Sequence, residues 1–114
     1  MIAVIFEVWP KPEYRDNYLE LAATMRKAVE KIDGFISVER FQSIVDEQKL
    51  LSLSFFDSHK SLDEWRNLAE HRVAQQIGRS EYFSDYRLRI AAVERDYGLS
   101  ERAQAPKDSN THHT

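Results

Sequence analysis

FISVERFQSIVDEQKLLSLSFF, residues 35–56, decides the fold. Two β-rich runs, 35–44 and 48–56, flank the short acidic stretch VDEQ, and that combination predicts an antiparallel hairpin. The segment before it has helical spacing. Tyr14, Tyr18, Leu21, Ala22, Met25, Val29 and Ile32 fall close to an i, i+4, i+7, i+8 stripe. Arg15, Asp16, Glu20, Arg26, Lys27 and Glu30 take the other side, and Gly34 is expected to stop the helix at C′. Further upstream, IAVIFEVW (2–9) alternates as a strand, with Ile2, Val4, Phe6 and Val8 on one face and Ala3, Ile5, Glu7 and Trp9 on the other. Pro10 and Pro12 end it, and Pro12 suits the first turn of a helix.

Downstream of the hairpin, Ser58 or Ser61 opens a second helical region, and Ser61 with Glu64 matches a capping box. Leu62, Trp65 and Leu68 form its apolar stripe; a second short helix is expected over 70–77, stopping at Gly78. After the bridging EYFSD, residues 86–97 alternate again, Leu88, Ile90 and Ala92 against Arg87, Arg89, Ala91 and Val93. The resulting order, β-α-β-β-α-β, defines an α+β ferredoxin-like sandwich: a four-stranded antiparallel sheet with both helices on one face. The expected domain spans 1–99; residues 100–114 are polar and are expected to form a mobile tail. Because several strands are apolar on both faces, the face without helices calls for a cover. A second copy of the sheet supplies it most simply, so a homodimer through the open faces is expected. Any pocket would then lie between each sheet and its own helices.

Composition narrows the chemistry. The 114 residues suit one domain, and 42% hydrophobic with 31% charged residues is a globular composition. Zero cysteines exclude disulfides, thiolate catalysis and cysteine-ligated metals. A formal net charge of -3 argues against nucleic-acid and membrane surfaces, which want a basic field. The N-terminus, MIAVIFEVWPKPEY, lacks a basic n-region, so it is expected to be a strand rather than a signal peptide, and the expected location is the cytoplasm. No glycine-rich phosphate loop is present, His59, His71, His112 and His113 lack metal-ligand spacing, and no metal is expected.

The segment EWRNLAEHRVAQQIGR (64–79) holds the main candidates. Trp65 stands on an apolar stripe, a core position that also offers a flat face to an aromatic ligand. On an unbroken helix His71 lies about 120° from Trp65, so the two converge only if the helix breaks near Asn67-Leu68-Ala69. Buried beside a ligand, His71 would be a general base; exposed, it merely shields a helix start. Asn67 is expected to cap the end of the first short helix, with a hydrogen bond to His71 as the alternative. Glu7, an acid within an apolar strand, needs a partner or a raised pKa, so it is a candidate functional acid lining the pocket, with an ion pair to Arg87, Arg89 or Arg95 as the alternative. Arg87 is equally a candidate for an anionic substrate group. Tyr82, Phe83 and Tyr86 would close one end of a cavity, or simply pack.

SFFDSHKSLDEWRNLAEHRVAQQIGR and FSDYRLRIAAVERDYG, with the first strand and helix, resemble the antibiotic biosynthesis monooxygenase domain family, from Met1 to about Leu99. The resemblance implies a dimeric α+β barrel. It also implies a small electron-rich aromatic substrate of phenol, anthrone or quinol type, oxidised without a cofactor in a dry aromatic-lined pocket. On this reading Trp65 stacks on the rings, His71 takes the phenol proton, and an arginine steadies the phenolate, with Tyr86 and Arg87 as further partners. Other relatives degrade haem or isomerise small molecules. The haem-degrading branch places an asparagine in its first strand, where IAVIFEVW has none, so haem is not expected as a cofactor. A non-catalytic binding module and an isomerase are the competing readings.

Overall fold

The computed structural model describes residues 1–76 and 79–112, leaving aside the side chains of 71–80 and 110–114. Strand β1 (Ile2–Pro10) leads through a 3-10 turn at Pro12–Tyr14 into helix α1 (Arg15–Val29). Then follow β2 (Phe35–Gln42), β3 (Leu50–Phe56), α2 (His59–Gln76), a single turn α3 (Arg79–Tyr82), β4 (Phe83–Ala92) and a short α4 (Lys107–His112). The sheet order is β2-β3-β1-β4 with every neighbouring pair antiparallel, which is the ferredoxin-like arrangement expected from the element order.

Two local readings are corrected. Helix α1 ends at Val29, and Gly34 instead holds the turn into β2 with φ of 92°, a left-handed value that favours glycine. The second helical region is one 18-residue helix rather than two short ones, so Asn67 is an exposed interior residue and no cap. Of the two serines expected to open this helix, Ser58 is the cap: its Oγ accepts the Ser61 N–H at 3.3 Å, while the Ser61 hydroxyl donates to Asp57 at 2.7 Å instead of forming a box with Glu64. The segment beyond Leu99 is not featureless. Arg102 donates to the Gly98 carbonyl and the Ser109 hydroxyl and lies over the Tyr97 ring, and α4 forms despite the scarcity of apolar side chains.

The cross-strand register decides what each face carries. Ile2, Phe56 and Phe35 form one row on the helix-facing side, and Val8, Leu50, Gln42 and Tyr86 another. Each row anchors a packed cluster. Ile2 and Phe56 meet Val29 and Leu62 at one end; Val8 and Leu50 meet Tyr18 and Ala22 at the other. Phe56 and Val8 are completely buried. Between the clusters run two rows whose β3 members are small: Arg40–Ser52–Phe6–Leu88 and Val38–Ser54–Val4–Ile90. Where leucine and phenylalanine would fill the space beneath the helices, two serines leave it open.

The opposite face is the one away from α1 and α2. Ile5, Leu51, Leu53 and Phe55 lie on it half-buried, and Phe41 is exposed there. Glu7 is on this face too, paired with Lys49 and Arg89. The hydrogen bond from Lys49, then that from Arg89, holds its carboxyl below the usual glutamate value. Trp9 is tied down nearby, its indole N–H donating to Asp46 at 2.9 Å with the Lys49 ammonium 5.2 Å from the ring.

Candidate functional site

The open rows form a cavity of about 300 Å³ between the sheet and helices α1 and α2, within the size range of small-ligand sites. Its sheet wall carries Val4, Phe6, Leu88 and Ile90, and its α1 wall Tyr18, Leu21, Ala22 and Met25. From α2 come Trp65, Arg66, Ala69 and Glu70, two adjacent pairs four residues apart, as one face of a helix requires. Phe83 and Tyr86 close one end, with ring centroids 6.1 Å apart and both edge-on or tilted toward Phe6.

Of the residues singled out from sequence, Trp65, Phe83 and Tyr86 come together in this lining. Tyr82 does not; it stacks on Tyr14 at 5.2 Å, and its backbone carbonyl accepts the Lys11 N–H. Glu7 and Arg87 project from the face away from the cavity, because both occupy odd positions in strands whose even positions face the helices. Asn67 is exposed and outside the lining. The His71 side chain falls outside the described residues. The helix break needed to bring position 71 round to Trp65 is absent, since α2 is continuous through it.

Sequence reasoning missed Arg40, Ser52 and Ser54. Arg40 lies among alternating residues of β2 and pairs across the sheet with Ser52. Its side chain enters the cavity lining, and its Nε is buried with no hydrogen-bond partner among the described residues. Next to it, burial pushes the Tyr18 hydroxyl above the ordinary phenol value, an effect the Arg40 charge and a hydrogen bond with it oppose. The available signal was the alternation in LLSLSFF, where the helix-facing positions run Leu50, Ser52, Ser54, Phe56. A small-residue pair flanked by large ones on a buried face is the mark of a hollow. Among the described residues no group of three His, Asp or Glu is placed to hold a metal, and no helix is long and apolar enough to cross a membrane.

This is a ferredoxin-like domain with an aromatic-walled cavity between its sheet and its helices. Residues 1–77 match the family described as antibiotic biosynthesis monooxygenase, and the chain belongs to that family. It is 44% identical over 93 residues to a protein named jasmonate monooxygenase ABM from Pyricularia oryzae; the match covers 82% of this chain and 43% of that protein. The chain therefore spans less than half the length of that relative. It is 32% identical to an uncharacterised Bacillus subtilis protein, YqjZ, over 82% of this chain and 79% of the other. Among solved structures, Rv0793 of Mycobacterium tuberculosis superposes with a TM-score of 0.74 at 22% identity, covering 85% of this chain and 98% of that one.

Proposed function

We propose that the chain is a cofactor-independent monooxygenase that oxidises a small electron-rich aromatic, of phenol, anthrone or quinol type, inside the cavity between helices and sheet. The observation that carries the reading is the lining itself. Trp65 on one wall and Phe6, Phe83 and Tyr86 on another leave a slot suited to a flat ring system. The relative named as a jasmonate monooxygenase supports oxygenation of a small organic molecule on this scaffold.

In this chemistry the substrate supplies the electrons. Loss of its acidic proton leaves an electron-rich anion that reduces dioxygen directly. For an anthrone, the ring CH₂ becomes C=O, one oxygen atom stays in the product and the other leaves as water with the two hydrogens. The protein's share is to orient the ring, keep water out and accept the proton. Trp65 orients the ring. Among the described residues the carboxylate on the cavity side of α2 is Glu70, and we assign the proton to it. The apolar face opposite, with Ile5, Leu51, Leu53 and Phe41, is assigned to pairing with a second copy.

Oxygen uptake by the purified protein tests this, run against anthrones, quinols and catechols with and without flavin or haem. The expected result is saturable uptake needing neither cofactor, with Trp65→Ala losing roughly ten-fold or more in kcat/KM and Glu70→Gln lowering kcat. No uptake anywhere in the panel would leave a binding module in its place.

A further inference from the structure

Arg40 is an unusual residue for the floor of such a cavity. A guanidinium brings five donors and a charge that cannot be discharged by losing a proton at ordinary pH. Placed at the edge of an apolar hollow, it ought to be paired; buried charges that lack a partner are costly. The acid next to it in sequence, Glu39, pairs in register with Leu53 and therefore sits on the opposite face of the sheet. Glu70 and Arg66 belong to α2, on the far wall, and the ion pair made by Arg66 is with Asp63. No ion pair to Arg40 exists among the described residues, and its Nε is sealed from solvent without an acceptor. Around it stand groups able to share a hydrogen bond: the Ser52 hydroxyl, its cross-strand neighbour in the same lining, and the Tyr18 hydroxyl.

We propose that Arg40, with Ser52 and Tyr18 beside it, is an anion subsite that fixes one end of the ligand, so the cavity selects small, mostly apolar molecules bearing a single anionic oxygen group. The group is an ionised phenol or a carboxylate; a guanidinium fork holds the two oxygens of a carboxylate through two parallel N–H donors, and the single oxygen of a phenolate through N–H donors converging on it. The inference rests on the monooxygenase reading only for the identity of the cavity, since anchoring at Arg40 does not require turnover. It also places the ligand. With the anionic group at Arg40, on the β2 side, the apolar body extends across the Ser52–Phe6 row toward Leu88 and lies under Trp65. Arg40 thereby takes the part expected of Arg87, which the sheet carries on its other face.

The test is calorimetric titration at pH 7.5 with three naphthyl probes: 2-naphthoate, the acidic phenol 2,4-dinitro-1-naphthol, and neutral 2-naphthalenemethanol. The unaltered chain is expected to bind at least one anion more tightly than the neutral alcohol by roughly ten-fold to a hundred-fold, the range of a charge-assisted hydrogen bond to a group that is otherwise unsatisfied. Which anion wins separates the phenolate from the carboxylate source. Arg40→Met is expected to abolish the preference, lowering anion affinity far more than the alcohol's, and Arg40→Lys to keep part of it. Equal binding of anions and alcohol by the unaltered chain, or failure of both anions to bind, overturns the subsite whether or not the variants fold. So does an equal loss for all three probes in Arg40→Met. Anion binding with no oxygen uptake on the aromatic panel keeps the subsite and removes the monooxygenase reading, so the two failures are distinguishable.

Discussion

Ser54→Leu turns the hollow beneath the helices into a signed experiment. The substitution puts three carbon atoms where a hydroxyl oxygen stood, in the middle of the Val38–Ser54–Val4–Ile90 row. If the roughly 300 Å³ cavity is empty, those carbons bury without displacing anything. At about 0.8 kcal/mol per buried carbon the gross gain is roughly 2 kcal/mol, and the ordering of a leucine side chain takes back about 0.5–1 kcal/mol. The net is about 1–2 kcal/mol of added stability, or a rise of roughly 5–10 °C in Tm for a domain of this size. Into an already filled core the same change would cost about 1–3 kcal/mol through strained rotamers and shifted backbone. The sign of the shift therefore decides whether the space exists. Differential scanning calorimetry reads it, with Ser54→Ala as a near-neutral control. Ligand affinity is measured on the same samples and is expected to fall at least ten-fold, since the leucine occupies ligand space. A destabilised Ser54→Leu protein that still binds the naphthyl probes normally would refute the reasoning.

Other consequences concern groups away from the cavity. Hydrogen bonds from Ser61 and then Ser58 hold the Asp57 carboxyl below the ordinary aspartate value of 3.8 in the folded chain. A carboxyl depressed in this way contributes stability above its unfolded pKa and loses it as pH falls toward the folded one. Urea midpoints are therefore expected to show Asp57→Asn less stable at neutral pH, with the gap closing as pH falls through 3.8 and below; a gap independent of pH would be inconsistent with the assignment. Glu7→Gln, on the face away from the cavity, is expected to leave oxygen uptake and probe affinity unchanged. It leaves Lys49 and Arg89 without their carboxylate on the face assigned to pairing, so sedimentation velocity should show weaker self-association.

The sheet order and the two-sidedness of each strand were legible in the sequence because strand alternation is a local signal: the even positions of β1, and those of β4 from Tyr86 on, carry apolar side chains, and so does the stripe on α1. That same alternation already separated Leu88 from Arg87. What was not legible was which face the helices would choose, since β1 is apolar on both sides, and Glu7 and Arg87 were assigned to the pocket for want of that information. The helix boundary near Asn67 failed for another reason. AEH suggested a restart, yet neither glycine nor proline interrupts 59–76, and the backbone had no cause to break. The cavity itself comes from an absence, two serines where large residues were expected, and residue-by-residue searches for chemistry pass over small side chains. Arg40 escaped notice because its significance depends on what fails to meet it, which only the three-dimensional arrangement reveals.

Gly34 has a reach well beyond its own turn. A Cβ there would overlap the Ser61 hydroxyl and the Asp57 carboxylate, and without one its carbonyl accepts the Asp57 N–H at 2.8 Å. The first turn of α2 is thereby clamped to the start of β2. Trp65 follows Ser61 by four residues, only about 6 Å along the helix axis. Helix α2 is thus held near Gly34 at one end, with Leu62 and Trp65 packed against the Ile2–Val29–Phe56 cluster just beyond. Trp65, close to the fixed end, sets a constant gauge for the thickness of whatever enters. Ala69 and Glu70 lie a turn further from the clamp, outside that cluster, so tolerance for ligand length is predicted to be set there rather than at the tryptophan.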